Sequence, residues 1–156
     1  MESHQPAELQ SFCRFIFGSV DSLIASLEGL NELELNWRPS APNANSLYAI
    51  AMHVLGNTEE NILGTLCGLS VKRDRDSEFV ATGASPTPLR QKWEDLKKRI
   101  GVALMNLSEN ALNRACSHPR RGVLTGRDIL IVVARHAAEH WGEAQLTLSL
   151  LRARPR

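Results

Sequence analysis

Apolar residues recur at intervals of three and four along four stretches of this chain, and no stretch alternates convincingly at period two. The pattern predicts amphipathic helices and no strands. A first helix is expected from about Pro6 to Leu30, with Leu9, Phe12, Ile16, Val20, Leu23 and Leu27 on one stripe. It cannot extend through Asn36-Trp37-Arg38-Pro39-Ser40-Ala41-Pro42-Asn43, because two prolines remove backbone donors and fix φ. A second helix starts at Asn45 or Ser46, either of which can cap it, and runs to about Gly68. Leu47, Ile50, Val54, Thr58, Ile62 and Leu66 form its apolar side. The polar run Lys72 to Phe79 and then Thr82 to Pro86 follow, more chain than a tight turn requires. This connection is expected to cross a bundle end or to line a pocket, with Phe79 anchored and the rest solvated. The third helix has Thr87 as cap and Pro88 at its first position, then Leu89, Trp93, Leu96, Ile100, Leu104 and Leu107. The fourth opens at Thr125 with Asp128 three residues on, close to a capping box, and reaches about Leu151. Four such helices predict an all-α fold, a four-helix bundle in one domain spanning residues 1–156.

Composition narrows the function classes. A net charge of +1, from 18 basic and 17 acidic residues, gives no reason to expect a nucleic-acid partner. No apolar run approaches the roughly 20 residues of a membrane helix, and the first residues lack the basic start of a secretory leader. Cys13, Cys67 and Cys116 are odd in number, widely spaced and without a Cys-x-x-Cys pair, which points to a reducing compartment. A cytoplasmic protein is expected, with the basic end from Arg152 to Arg156 as a solvated tail.

The chemistry lies in the histidines. At about 100° per residue, Ile129, Val132, Val133, Ala137, Ala144, Leu148 and Leu151 draw the apolar face of the fourth helix. His136 and His140 fall one turn apart within it. Imidazoles aimed at a core need partners, and side chains four apart meet at the distance two ligands of one metal require. His53 sits at the edge of the second helix's stripe, beside Asn57 and Glu60. Hydrogen bonds from plain core histidines to carbonyls are the competing reading for each residue alone. Together the three predict one metal site. Nitrogen ligands suit zinc, nickel, cobalt, copper or ferrous iron, not magnesium or calcium, and three of them leave a position for water or substrate. His136-Ala137-Ala138-Glu139-His140 also fits the string of inverted zinc peptidases. Too little chain follows it for their acidic third ligand, and Glu139 points to the helix flank. Glu143, one turn after His140, is the candidate catalytic carboxylate, orienting a water or bonding a histidine.

With these residues in place, the sequence resembles the DinB-like superfamily, damage-inducible four-helix bundles that include YfiT-type metal hydrolases and thiol-dependent transferases. The resemblance rests on Leu35-Asn36-Trp37-Arg38-Pro39, Asn45-Ser46-Leu47 leading to His53, and His136-Ala137-Ala138-Glu139-His140-Trp141-Gly142-Glu143. It implies a long crossover between the second and third helices, a divalent metal on His53, His136 and His140, and a homodimer. It further implies zinc or nickel and a low-molecular-weight thiol, for S-transfer or hydrolysis. The pocket is then expected under Trp37, Tyr48, Asn57 and Glu60, with Arg38, Arg73 and Arg75 available to a substrate carboxylate. The Arg73 to Phe79 stretch looks like the connector of a DinB-like subgroup without an established role. A non-catalytic stress or ligand-binding bundle is the alternative.

Overall fold

A computed structural model describes residues 6–155; residues 1–5 and Arg156, where the leader reading and the last tail residue fall, lie outside the described residues. The four predicted stripes fold as the long helical elements α1 (Ala7–Ala25), α3 (Leu47–Thr58) with its continuation, α5 (Thr87–Leu104) and α7 (Gly126–Arg152). Their apolar faces meet in one core. Leu9, Ile16, Val20, Leu23 and Leu27 from the first stripe are fully or almost fully buried, with Ile50, Val54, Ile62 and Leu66 from the second. Leu89, Trp93, Leu96 and Ile100 from α5 and Ile129, Val133, Ala137 and Ala144 from α7 complete it. The helix α7 packs along both α1 and α3, which brings the second and fourth stripes side by side.

Helix ends follow local hydrogen bonding. The Ser46 hydroxyl accepts from Ala49 N at 3.1 Å and starts α3. Thr125 and Asp128 form the capping box at α7, Oγ1 accepting from Asp128 N at 3.1 Å and Asp128 Oδ2 from Thr125 N at 3.1 Å. The predicted second helix does reach Leu66, but after Thr58 it widens into π-helical turns over Glu59–Leu66. Such turns favour functional neighbourhoods because they redirect side chains within one helix.

Several boundaries depart from the periodicity. The first helix ends at Ala25 rather than Leu30, and a five-residue helix α2 (Glu32–Asn36) follows, started by an Asn31–Glu34 capping box. Thr87 is already helical, with Pro86 before it and no side-chain cap, so it does not cap α5. The long connection is partly structured: Asp74 accepts from Ser77 N at 3.3 Å and starts α4 (Arg75–Phe79). The expectation of no strands is corrected outright. After the short helix α6 (Glu109–Asn113), β1 (Ala115–His118) pairs antiparallel with β2 (Gly122–Thr125), Cys116 opposite Leu124 and His118 opposite Gly122. Four residues per strand are too few for a periodicity count, although Cys116 and His118 turn inward while Ala115 and Ser117 face solvent. Gly122 takes φ +75° at the turn, a conformation that side chains with a Cβ resist.

Candidate metal centre

His53 stands on α3, and His136 and His140 stand one turn apart on α7. One ring nitrogen from each lies within 4.8 Å of the other two. Among the described residues this is the group of histidine, cysteine or carboxylate side chains gathered tightly enough for one ion. The rings meet with centroids 4.4 to 4.9 Å apart. The helical wheel turns all three towards one another, as observed, but inverts their burial. His53, expected at a boundary, is 6% exposed, whereas His136 and His140 are only half-buried. The reason is α4, which covers the edge of α3 on which His53 lies.

That covering helix supplies Glu78, which the periodicity assigns to a solvated loop. Glu78 is buried, and its Oε2 accepts from His53 Nδ1 at 2.8 Å. A carboxylate only accepts, so the proton is on Nδ1 and the Nε2 lone pair faces inward. Gly56 permits this approach: a Cβ there would fall 2.0 Å from Glu78 Oε1. Arg73 grips the same carboxylate with both edges of its fork, Nε to Oε1 at 2.7 Å and a terminal nitrogen to Oε2 at 2.8 Å. Its remaining terminal nitrogen reaches Glu60 Oε2 at 2.8 Å, and Glu60 in turn accepts from Arg120. Burial alone would push the Glu78 carboxyl up; bonds from Arg73 and His53 hold it below the usual carboxylate range. At Glu60 burial is likewise outweighed by Arg120 and Arg73.

The other end is built in the same way. His140 Nδ1 donates to Glu143 Oε2 at 2.6 Å, and that bond keeps the Glu143 carboxyl low against its partial burial. His136 lacks such a partner. Its Nδ1 is buried and unpaired, and its Nε2 lies 3.0 Å from His53 Nε2. Burial, then the neighbouring His140 and His53, lower its pKa to about 2, so the ring is neutral at any ordinary pH.

This donor set fits a metal. Two imidazoles have their outer N–H groups fixed on carboxylates, which orients the inner nitrogens and raises their basicity. Two lone pairs facing each other across 3.0 Å repel unless a proton or a cation sits between them. In the metal-free chain the proton on His136 Nε2 fills that place and leaves Nδ1 without a partner. Neutral nitrogen donors suit a divalent transition ion and not magnesium or calcium.

A pocket of about 440 Å³ opens over the histidines, lined by Asn57, Arg73, Arg75, His118, Arg120 and Arg121 besides the triad. The predicted pocket residues are not all here. Asn57 lines it, and Glu60 stands behind Arg73 and Arg120. Trp37 and Tyr48 do not line it: the Arg154 guanidinium lies 5.1 Å from the Trp37 ring, and Tyr48 is buried against Gly83. Arg38 is occupied with the carbonyls of Ala44 and Phe79, so it is a strut of the 37–45 loop. Glu139 is on the flank, 3.4 Å from Arg135 and exposed. His118, Arg120 and Arg121 arrive on the hairpin, which periodicity does not find. The signal available was the basic turn His118-Pro119-Arg120-Arg121-Gly122, whose Pro and Gly mark a reversal. His118 Nε2 donates to Asn61 Oδ1 at 2.8 Å while its Nδ1 accepts from Arg120 N at 3.0 Å, so it anchors the hairpin in neutral form.

Comparison with known proteins agrees with this architecture. A family model described as the DinB superfamily matches residues 19–144. A DinB-like protein from Bacillus cereus has a similar fold, with a TM-score of 0.72 at 15% identity over 90% of this chain and 91% of that one. A conserved protein from Enterococcus faecalis aligns with a TM-score of 0.76 at 15% identity, over 93% and 97%. No curated protein matches the sequence.

Proposed function

The chain belongs to the DinB superfamily, and from that premise we propose that it is a metal-dependent enzyme holding a divalent transition ion, zinc or nickel, on His53, His136 and His140. The observation that carries the reading is the convergence of the three imidazoles with a carboxylate behind two of them. A bound ion would supply Lewis acidity, lowering the pKa of a water or thiol at its open side.

The chain's own residues do the rest. Glu78, clamped by Arg73, fixes the tautomer and direction of His53, and Glu143 does the same for His140. Glu143 has its Oε2 on the imidazole, so we assign it to positioning that ligand. Asn57 and the arginines bind the substrate in the pocket. Of the reaction classes, transfer of a low-molecular-weight thiol to an electrophile and hydrolysis both suit three nitrogen ligands and an open, cationic pocket. The packing of the four long helices supports a four-helix bundle in which the chain from Cys67 to Pro86 forms the crossover. A homodimer is the assembly we propose, to be read from the mass in solution. No helix among the described residues is long and apolar enough to cross a membrane, which suits the proposed cytoplasmic setting.

Elemental analysis of tag-free protein is expected to give one transition ion per chain, and His136→Ala to give none. Metal-loaded protein is then incubated with a panel of thiols, electrophiles and esters. Turnover lost in His140→Ala ties the chemistry to this site. Turnover that persists in that variant would sink the mechanism, and stoichiometric metal without turnover would favour a binding protein.

A further inference from the structure

We propose that the pocket over the histidines takes a small anion, a molecule carrying a carboxylate or phosphate group, with Arg75 and Arg121 as its unneutralised grip. The inference rests on the metal-site reading for the role of the pocket floor, and on the pocket's own lining for the choice of ligand. Four arginines line the pocket, Arg73, Arg75, Arg120 and Arg121, and no carboxylate does. Arg73 is committed to Glu78 and Glu60, and Arg120 to Glu60. Arg75 lies over the Phe79 ring at 4.9 Å, and neither it nor Arg121 has a carboxylate within ion-pair distance among the described residues. Two exposed guanidinium groups on different elements, α4 and the hairpin, therefore face one concavity with their forks free. That geometry matches the paired oxygens of a carboxylate or phosphate.

A second observation points to an occupant of the same pocket, one that carries a donor besides its anionic group. Asn57 is 8% exposed and lines the pocket, yet its Oδ1 has no hydrogen-bond partner. Burying an acceptor unpaired costs free energy that a ligand N–H or O–H recovers. The pocket thus offers charge on its rim and a polar contact at its wall. The positive balance is local, since the whole chain carries only +1, and a divalent ion on the floor makes it stronger. A space of about 440 Å³ suits a small molecule.

The test is calorimetric titration of full-length protein, metal-loaded and metal-free, with inorganic phosphate and with succinate. The wild type is compared with Arg75→Gln/Arg121→Gln, and with Arg152→Gln as a remote control. At least one probe is expected to bind the wild type and to weaken about tenfold or more in the double variant, while metal content and Arg152→Gln affinity stay unchanged. Which probe binds more tightly separates phosphate from carboxylate. Equal affinity in wild type and double variant, equal weakening in Arg152→Gln, or no binding of either probe overturns the proposal. Arg121→Glu alone, on the exposed turn, answers the same question if the double variant misfolds. Metal content is a separate readout: a chain that takes up no ion defeats the metal reading, yet the metal-free titrations still decide the arginine one.

Discussion

At the residue scale, the carboxylates behind the histidines are the part of the site most open to measurement. Glu78→Gln keeps the shape but removes the charge that His53 and Arg73 share. Metal affinity is expected to fall by roughly 10- to 100-fold, read by competition with a chromophoric chelator. Glu143→Gln should lose less, because Glu143 is half-exposed whereas Glu78 is buried. A second expectation concerns acid. His136 is held neutral with a folded pKa of about 2 against an ordinary 6.5. The unfolded chain therefore binds more protons there below pH 6.5, and stability present above that value is lost as pH falls toward 2. Glu78 and Glu143, both held low, add losses in the same direction below their ordinary 4.5. Thermal melts of the metal-free protein should show Tm declining from near pH 6.5 downward, and His136→Ala should flatten the upper part of that decline. An unchanged slope in the variant would place the acid sensitivity elsewhere. Burial also pushes the Cys67 thiol up to about 11, so it is not poised as a thiolate nucleophile.

At the scale of elements, the site depends on how α4 seats on α3 and how α7 begins. Gly56→Ala ought to raise intrinsic helix stability by up to about 1 kcal/mol. Here the new Cβ meets the buried Glu78 carboxylate, so a net destabilisation of about 1–3 kcal/mol is expected. The decisive feature is that metal affinity should fall with it, since the displaced carboxylate is the one bonded to His53. Urea unfolding and chelator competition on the same sample separate the two effects. At the other end, Thr125→Ala removes the cap of the helix that carries His136 and His140. A loss of about 1 kcal/mol is expected in urea melts, with metal affinity close to wild type because the histidines lie several turns away. The hairpin is the third element that matters. It has little core of its own, and it is tied down by His118 to Asn61 and by Arg120 to Glu60.

Across the whole molecule, the proposed metal would be linked to the fold. An ion that binds only the folded chain stabilises it by RT ln(1 + [M]/Kd), about 2.7 kcal/mol at a free concentration of 100 Kd. Zinc or nickel should therefore raise Tm in the wild type and leave His136→Ala unmoved. The long helices, their buried stripes and the three imidazoles that converge were legible in the chain, because a helix repeats its direction every three to four residues and a wheel converts spacing into facing. The capping box at Thr125 was legible for the same local reason. Glu78 was not: Arg73 and Glu78 read as charges in a polar connector, and only the fold of α4 over α3 makes them a clamp on His53. Nor were Arg120 and Arg121, which reach the pocket on strands too short to carry a period. Tyr48 stands on the His53 helix itself and Trp37 shortly before it in the chain, yet both side chains turn to other neighbours in space. The sequence by itself thus determined which helices form and which imidazoles can meet. Tertiary structure alone decided what stands behind those imidazoles and what charge faces them, because contacts across the 20 residues from His53 to Arg73, or the 60 from Glu60 to Arg120, leave no local pattern for a periodicity to register.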